Sequence, residues 1–354
     1  MKRIGNIYEK ICDIENIKTA ILKASLGKRS NHRVLEVLDN IDFYAQEISE
    51  LLYMEEYIPS PYIKKTILDG ASQKERTIYK PRFYPDQIIH WALMNQIQPI
   101  LMRGMYAYSC GSVPKRGSSY GQKYLQKVLS DDRKNTKYCL KMDVKKFYPS
   151  INNEILKQKF RRIIKDGKCL CLIDNIIDSE TGLPIGNYTS QWFSNFFLQD
   201  LDHFIKEKLR IKYYVRYVDD LVLLGGNKRK LHRAKREIDL FLKHESLEIK
   251  KNWQVFKVSI RPIDFLGFRF YGYKTTLRRR NSLRIRRRMR KISKKPFLTH
   301  GDACSIIAYW GWLKRSNSRL YYMKYVKPYV NIKIARKAVS YYAKRNSIRS
   351  DSRL

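Results

Sequence analysis

A single tetrapeptide, Tyr-Val-Asp-Asp at residues 217–220, constrains the fold of this chain more than any other feature. It lies between residues 213–216 and 221–224, two short runs rich in apolar, β-branched and aromatic side chains. This pattern predicts a β-hairpin with the two carboxylates at its tip. Adjacent carboxylates repel each other unless a cation binds there, and their hard oxygen atoms favour a divalent metal ion. An ordinary polar turn is the alternative for the tetrapeptide on its own.

The charge of the chain indicates a polyanionic partner. Its 354 residues carry a formal net charge of +39, and 26 tyrosines are interleaved with the basic residues. Solubility alone needs far less charge, whereas nucleic-acid binding is driven by counterions that lysine and arginine release. Tyrosine rings beside cationic side chains suit stacking on bases and sugars. The composition therefore predicts a nucleic-acid-binding protein, and a hydrophobic content of 44% is enough for a sizeable core.

The cysteines predict neither a disulfide framework nor a zinc site, because Cys169 and Cys171 have no second pair as partner. The six cysteines are Cys12, Cys110, Cys139, Cys169, Cys171 and Cys304. Free thiols of this kind are typical of a reducing cytosol. The chain shows no secretory signal and no apolar run of about 18 residues. We therefore expect a cytoplasmic protein without a membrane span.

Alternating helical and strand patterns predict one mixed α+β domain. Apolar residues spaced three to four apart predict helices, and β-rich runs bounded by turn residues predict strands. The predicted helices are residues 6–56, 86–101, 121–130, 151–165 and 189–209. The predicted strands or hairpins are residues 62–84, 138–144, 212–224 and 263–270, and residues 109–120 are predicted as a Gly/Ser/Pro loop.

A further predicted helix, at residues 283–292, is strongly basic. Ile285, Met289 and Ile292 fall at helical spacing, and most of the other positions are arginine or lysine. A narrow apolar face with a broad cationic face is what a helix lying along a nucleic-acid backbone requires. The alternative is a solvated helix, which would repel itself because acidic partners at i,i+4 are missing.

Asp143, on the predicted strand at residues 138–144, supplies a third carboxylate. Three acids make a two-metal site feasible, in which cations about 4 Å apart activate a 3′-hydroxyl and stabilise a leaving pyrophosphate. Lys115 and Arg116, on the Gly-rich loop, would neutralise a triphosphate. A strand-end cap or salt bridge is the alternative for Asp143 taken by itself.

Six segments in sequence order resemble the motifs of reverse transcriptases across residues 62–275, and the basic region beyond them resembles a thumb. They are Arg76-Thr77-Ile78 with Pro85-Asp86-Gln87-Ile88; Pro114-Lys115-Arg116-Gly117; Asp143 with Phe147-Tyr148-Pro149-Ser150-Ile151; Leu183 to Gln191; Tyr217-Val218-Asp219-Asp220; and Asp264-Phe265-Leu266-Gly267-Phe268. The resemblance implies an α+β right-hand polymerase with fingers, palm and helical thumb. The implied regions are a helical N-terminal extension at 1–60, fingers at 61–137, a palm at 138–275, and a basic helical thumb and tail at 276–354.

The resemblance also implies roles for individual residues. Asp143, Asp219 and Asp220 would be the catalytic acids. Together with the backbone carbonyl of Val144 they would hold two Mg²⁺ ions, with Mn²⁺ as a substitute, and deoxynucleoside triphosphates would be the substrates. Tyr148 resembles the aromatic steric gate that excludes a 2′-hydroxyl, and core packing is its ordinary alternative.

Other residues match contacts to the nucleotide or the primer. The residues that resemble triphosphate contacts are Arg116, Lys115 and, as a weaker match, Arg76. Residues 265–267 resemble the primer grip. The lysine that follows the catalytic hairpin in this family matches either Lys250 or Lys251, and the spacing does not decide between them.

The segment before the catalytic hairpin resembles that of diversity-generating retroelement reverse transcriptases of bacteria and phages. Most bacterial relatives carry Gln-Gly-x-x-x-Ser-Pro there, whereas this chain has Ile185 and Gly186 and ends the segment with Gln191. The resemblance places these three residues near the nascent base pair. Residues 309–314 also resemble the thumb of this group, whereas Ser119 departs from it because a histidine is expected there.

The resemblance implies that the chain copies a template RNA into cDNA from a primer. Errors at template adenines would diversify a target gene, and a small basic accessory variability protein would be a partner. A group II intron protein is disfavoured because no Cys/His nuclease segment follows the thumb, and a retron because Asn-Ala-x-x-His and Val-Thr-Gly are missing. A phage-defence or other bacterial reverse transcriptase is the alternative. The intact acids argue against a catalytically inactive RNA-binding relative.

Overall fold

The computed structural model of the chain describes residues 3–68 and 75–351, with the backbone alone for residues 344–351. The predicted strand region at 62–84 and the predicted tail both include residues that lie outside this description. Helices and strands alternate along the described chain, which confirms the predicted α+β class.

The helices are distributed along the whole described chain. Up to residue 178 they are α1 (Tyr8–Cys12), α2 (Ile14–Ser25), α3 (His32–Asp39), α4 (Ile41–Tyr53), α5 (Ile88–Arg103), α6 (Ser118–Asp131), α7 (Phe147–Ser150), α8 (Asn153–Ile163) and α9 (Gly167–Asp178). Beyond it they are α10 (Tyr188–Phe197), α11 (Gln199–His203), α12 (Lys228–His244), α13 (Arg279–Ser293), α14 (His300–Lys314), α15 (Arg319–Tyr325) and α16 (Ile332–Asp351). A kinked turn at Phe83–Gln87 and a π-helical turn at Phe204–Lys208 adjoin α5 and α11.

The strands form three sheets in the described residues. They are β1 (Ile63–Leu68), β2 (Glu75–Lys80), β3 (Ser109–Cys110), β4 (Tyr138–Asp143), β5 (Tyr213–Tyr217), β6 (Asp220–Gly225), β7 (Gln254–Lys257), β8 (Ile263–Phe265), β9 (Phe268–Phe270) and β10 (Thr275–Leu277). The largest sheet has the order β3-β5-β6-β4-β7, the second has the order β10-β9-β8, and the third is the β1-β2 pair. β3 runs parallel to β5, with residues 109–110 opposite residues 216–217. Only two residues separate β5 from β6, so these strands form the predicted hairpin.

The predicted helical region at residues 6–56 forms four helices, α1 to α4. α2 packs against α4 and α5, and its buried side chains include Ile17 and Ile21. Asp166 ties the start of this bundle to α9, because its carboxylate accepts hydrogen bonds from the amides of residues 7 and 8 at 2.7 and 2.9 Å. The same carboxylate caps the N-terminus of α9.

Two predictions of local structure are wrong in detail, and one helix was not predicted. The predicted loop at 109–120 contains β3, which has two residues and depends on pairing with β5 rather than on a pattern of its own. The predicted single helix at 189–209 breaks at Leu198, whose ψ of 4° ends α10 although no glycine or proline marks the position. Residues 167–178, for which no element was predicted, form α9, with Leu172 and Ile176 on its buried face.

The chain divides into two compact units. The first consists of Met1–Gly121, Leu140–Leu223 and Arg229–Gln254, and the second of Gln122–Cys139, Leu224–Lys228 and Val255–Leu354. The first contains α1 to α5 and the tip of the β5–β6 hairpin, and the second contains the β8–β10 sheet and α13 to α16. The boundaries of the four predicted polymerase regions stay a prediction. None of the helices in the described part of the chain has the length and hydropathy that a membrane span requires.

Within the second unit, α13 is the predicted basic helix. Ile285, Met289 and Ile292 are buried, which confirms the predicted apolar face. Asp302, at the start of α14, is 1% exposed and forms an ion pair with Arg288 at 2.8 Å. Because a buried carboxylate needs a charged partner, this pair helps to fix α13 against α14.

Candidate active site

The tip of the β5–β6 hairpin is strained. Val218 has a φ of +56°, a region that β-branched residues rarely adopt. Its amide donates a hydrogen bond to the Cys110 carbonyl at 3.1 Å, and its carbonyl accepts one from Arg216 Nη1 at 2.9 Å. The carbonyl of Asp219 accepts a further hydrogen bond from the Val144 amide at 3.1 Å. These contacts fix the turn that brings Asp219 to the end of β4.

Asp143 and Asp219 lie side by side at this tip. Asp143 is the last residue of β4, and β4 is the neighbour of β6 in the sheet. Burial, and then the charge of Asp143, raise the pKa of the Asp219 carboxyl to about 7. The paired carboxylates therefore bear an electrostatic cost that the nearby Lys250 offsets only in part. A cation bound between them would remove that cost.

Two lysines contact the predicted acids. Lys250 Nζ forms an ion pair with Asp143 Oδ1, and the Lys250 amide donates to the Asp143 carbonyl at 2.8 Å. Lys251 is exposed, so Lys250 is the lysine that reaches the acids. Lys141 Nζ lies 3.3 Å from Asp220 Oδ2. Asp220 is thus directed towards Lys141.

The donor chemistry of the pair fits a hard divalent cation. Carboxylate oxygens are the ligands that Mg²⁺ takes from proteins, and the raised pKa of Asp219 marks a site that gains from added positive charge. In the residues that the structure describes, no group of three or more His, Cys, Asp or Glu side chains is already arranged around an ion position. The structure brings together Asp143 and Asp219. The wider ligand set, with Asp220 and the Val144 carbonyl, stays a prediction.

Tyr148 lies close to the acid pair. α7 follows β4 after three residues and carries Tyr148, whose hydroxyl accepts a hydrogen bond from Ser194 Oγ at 3.4 Å. Burial raises the pKa of the Tyr148 hydroxyl, and the charge of Asp219 adds to this effect. The ring is half-buried and does not belong to the fully enclosed core. This placement agrees with a residue facing a nucleotide, and its role as a steric gate stays a prediction.

The Ile185–Gln191 segment contacts β2, and Leu183, just before it, contacts α7. The Ile185 carbonyl accepts a hydrogen bond from the Tyr79 amide at 2.8 Å, and the Leu183 amide donates to the Tyr148 carbonyl at 2.9 Å. Gly186 has a φ of +141°, and a Cβ there would lie 2.1 Å from the Tyr79 carbonyl oxygen. The close approach of the β2 backbone therefore requires glycine at this position. The Gln191 side chain is exposed on α10.

The three predicted triphosphate contacts, Arg116, Lys115 and Arg76, have different surroundings. Arg116 Nη1 donates a hydrogen bond to the Tyr106 carbonyl at 3.3 Å, so its guanidinium is directed at the backbone after α5. Lys115 is exposed and has a φ of +63°. Arg76 is exposed on β2, opposite Ile67 on β1. The triphosphate role of the three basic residues stays a prediction.

The predicted primer grip forms the turn between β8 and β9. Leu266 and Gly267 have φ values of +52° and +82°. A Cβ on Gly267 would lie 2.8 Å from the Trp312 ring, which leaves no room for a side chain. The turn is therefore tightly packed within the second unit, and its contact with a primer stays a prediction.

Sequence reasoning missed a buried ion pair behind the hairpin. Arg216 and Asp202 are both 0% exposed, and Arg216 Nη2 lies 2.6 Å from Asp202 Oδ2. The available signal was an arginine inside the otherwise apolar strand β5, since a buried charge in a strand requires a partner. The position of that partner on α11 could not be read from the local pattern.

Comparison with known proteins gives matches over most of the chain. Residues 70–270 match the family described as reverse transcriptase (RNA-dependent DNA polymerase). The retron Ec73 reverse transcriptase of Escherichia coli is 28% identical over 239 residues, which cover 62% of this chain and 72% of that protein.

Solved structures of yeast telomerases also match. A Candida tropicalis telomerase with a fragment of telomeric RNA has a TM-score of 0.49 at 13% identity, over 87% of this chain and 58% of that chain. A Candida albicans telomerase with the corresponding RNA fragment has a TM-score of 0.46 at 13% identity, over 78% of this chain and 58% of that chain. This chain thus spans little more than half the length of those telomerases.

The family match includes β4, which ends at Asp143, the β5–β6 hairpin with Asp219 in its turn, and the segment at 183–191. With the mixed helices and strands of the structure, it is consistent with the predicted right-hand polymerase fold. Because the matched residues make up more than half of the 354, the chain belongs to the reverse transcriptase family.

Proposed function

We propose that this chain is an RNA-directed DNA polymerase that extends a primer on an RNA template with deoxynucleoside triphosphates. The observation that carries this function is the juxtaposition of Asp143 and Asp219 at a strained hairpin tip. Primer extension by the purified protein on a defined RNA template tests it. Products whose sequence follows the template would support the activity. An absence of extension with Mg²⁺ and with Mn²⁺ would contradict it.

The residues around the acid pair suggest how the site works. Asp143, Asp219 and Asp220, with the Val144 carbonyl, would hold two Mg²⁺ ions or, as a substitute, Mn²⁺. Such ions would supply activation of the primer 3′-hydroxyl and neutralisation of the leaving pyrophosphate. Lys250 orients the Asp143 carboxylate by an ion pair. The Val144–Asp219 hydrogen bond joins the end of β4 to the turn of the β5–β6 hairpin.

Template binding is expected to use the exposed face of α13. Arg280, Arg284, Arg287 and Lys291 line one concave surface of this helix, which carries no acidic residue. On the other side, Arg286 lies over the Tyr325 ring at 5.0 Å. The concave surface therefore presents several cations to a phosphate backbone.

Arg284→Gln with Arg287→Gln should weaken template–primer binding and flatten its salt dependence. Each lost phosphate contact lowers the slope of log K against log salt by roughly 0.7–0.9. The measurement is a salt titration of affinity for an RNA–DNA duplex. Arg229→Gln with Arg233→Gln, exposed arginines on α12, is the matched control because it removes the same charge elsewhere. Equal slopes for wild type and the α13 variant would show that this face does not contact the backbone.

We further propose that copying is error-prone at template adenines, as in diversity-generating retroelements, with a basic accessory variability protein as partner. What supports this is the Ile185–Gln191 segment, where an apolar, half-buried side chain stands in place of the glutamine of most bacterial relatives. Ile185 offers no side-chain hydrogen bond, so a mispair near it would meet a smaller penalty. A lost hydrogen bond is worth about 1 kcal/mol, which is only several-fold in selectivity, so other contacts must contribute.

Ile185→Gln should reduce misincorporation opposite adenine by several-fold. The glutamine amide can form the side-chain hydrogen bond that isoleucine cannot, so a mispair near it would meet a larger penalty. Sequencing of cDNA made on a defined RNA template gives the error rate for each template base. Ile185→Leu is the matched control, since it keeps an apolar side chain of the same volume. Uniformly low errors of wild type at all four template bases would remove the diversity-generating assignment.

A second candidate is a phage-defence or other bacterial reverse transcriptase that makes a faithful cDNA. The retron relative, at 28% identity, favours it. The two candidates differ in the product. Sequencing of cDNA made in cells from the native locus would show adenine-directed substitutions under the first and an unaltered copy of the template under the second.

A further inference from the structure

We propose that Arg216 is a positioning residue for polymerisation: its buried guanidinium holds the Val218 carbonyl and thereby sets the orientation of Asp219. This role goes beyond the acids themselves, although it rests on the proposed function of Asp219. Arg216 lies on β5, two residues before Val218, and its side chain is fully buried in the protein interior.

All three nitrogen atoms of the Arg216 guanidinium donate hydrogen bonds. Nε and Nη2 bind the two oxygens of Asp202, Oδ1 at 2.8 Å and Oδ2 at 2.6 Å, in a bidentate pair. Nη2 also donates to Ser109 Oγ at 2.8 Å. Nη1 donates to Asn195 Oδ1 at 3.1 Å and to the Val218 carbonyl at 2.9 Å. These five contacts match the five N–H donors of an arginine, so the orientation of the group is fully determined.

The partners come from three other elements of the first unit. Ser109 lies on β3, Asn195 on α10 and Asp202 on α11. Asn195 is itself fixed, because its Nδ2 donates to the Gly111 carbonyl at 3.0 Å. The Val218 carbonyl is thus anchored, through one side chain, to elements that pack behind the hairpin.

The hairpin needs such an anchor because its turn is strained. A valine at a φ of +56° persists only where surrounding contacts hold it. The Val218 amide is held by the Cys110 carbonyl and its carbonyl by Arg216, so both ends of this residue are fixed. Release of the carbonyl would let the turn relax, and the Asp219 side chain would move with it.

Stability alone does not account for this arginine. Burying an ion pair is costly, and well-packed apolar residues of similar volume often replace one without loss of stability. Such a replacement would fill the space of Arg216 and Asp202 but could donate nothing to the Val218 carbonyl. We therefore infer that the ion pair serves to hold Arg216 where it fixes the conformation of the hairpin turn.

The decisive variant is Arg216→Met with Asp202→Leu, which removes both charges together. We expect a melting temperature within a few degrees of wild type and unchanged template–primer affinity. The single-turnover rate of nucleotide addition should fall by roughly 100-fold, since small displacements of reacting groups cost this much. A single-turnover rate is independent of the fraction of active enzyme, so partial misfolding would not mimic the result.

Amide hydrogen exchange supplies a readout that does not depend on activity. Peptides covering residues 213–224 should exchange faster in the double variant, whereas peptides from α2 should not change. Tyr214→Phe is the matched control, because it removes the 2.8 Å hydrogen bond to Asp202 and leaves the Val218 carbonyl contact in place. This control should retain the wild-type rate.

A folded double variant with the wild-type rate or with unchanged exchange at the hairpin would overturn the positioning role. If that variant does not fold, Arg216→Lys decides, because lysine keeps a charge for Asp202 but lacks the planar fork that also reaches Val218. A wild-type rate for Arg216→Lys would overturn it equally. Failure of the proposed site is recognised separately, by an Asp219→Asn variant that remains active.

Discussion

Asp219→Asn is expected to lower the rate of primer extension by about a thousandfold or more, while template–primer affinity stays within about twofold. Asparagine keeps the shape of the side chain but removes the charge that would bind the metal ions. Asp219 lies beside Asp143 at the end of the hairpin, and burial with that neighbour raises its pKa to about 7. Removing the acid also removes this unfavourable pairing, so the fold should not be weakened.

Extension rates and binding are measured on one RNA–DNA template–primer. Asp239→Asn is the matched control, because it removes one carboxylate from α12, where Asp239 lies 3.4 Å from Lys235. It should extend as wild type does. Wild-type extension by Asp219→Asn in Mg²⁺ would remove Asp219 from the catalytic site.

Tyr148→Ala is expected to raise ribonucleotide incorporation relative to deoxynucleotide incorporation by about 10–100-fold. The half-buried ring lies near Asp219, where it would press against the 2′ position of the incoming sugar. Its hydroxyl accepts only a long hydrogen bond, 3.4 Å from Ser194 Oγ. Selectivity should therefore depend on the ring and not on the hydroxyl.

The measurement compares kcat/KM for ribo- and deoxynucleotides on one template. Tyr148→Phe is the control, because it keeps the ring and loses the hydroxyl, and it should remain as selective as wild type. If Tyr148→Ala discriminates as well as wild type, another residue excludes the 2′-hydroxyl. A loss of selectivity in Tyr148→Phe would assign the gate to the hydroxyl.

Local sequence patterns were sufficient to predict the features that depend only on residues close together in the sequence. The β5–β6 hairpin followed from two apolar runs around a short polar tip. The apolar face of α13 followed from the spacing of Ile285, Met289 and Ile292, all of which are buried. Asp143 was identified with Asp219 from motif order, and the structure brings them together because β4 and β6 are neighbours.

Features that depend on distant pairing could not be predicted in the same way. Arg216 and Asp202 lie on different elements, and no periodicity links a strand residue to its partner on α11. The sequence did not show which of Lys250 and Lys251 lies near the acids. That depends on the chain returning to β4, where the Lys250 amide donates a hydrogen bond to the Asp143 carbonyl. The direction of Arg116 towards the Tyr106 carbonyl likewise depends on how the loop folds back on α5.

Localised backbone cleavage by iron bound in place of magnesium tests directly whether Asp143 and Asp219 hold the metal ions. With added hydrogen peroxide and ascorbate, Fe²⁺ at a Mg²⁺ site reduces the peroxide to hydroxide and a hydroxyl radical, and ascorbate returns the Fe³⁺ to Fe²⁺. The radicals cut the nearby backbone, and the cut positions are read by mass spectrometry. If Asp143 and Asp219 hold the metal ions of this polymerase, cuts will cluster around residues 142–145 and 217–220. Excess Mg²⁺ and the Asp219→Asn substitution will both suppress them. Cuts elsewhere in the chain, or cuts at these positions that persist in Asp219→Asn, would contradict the account.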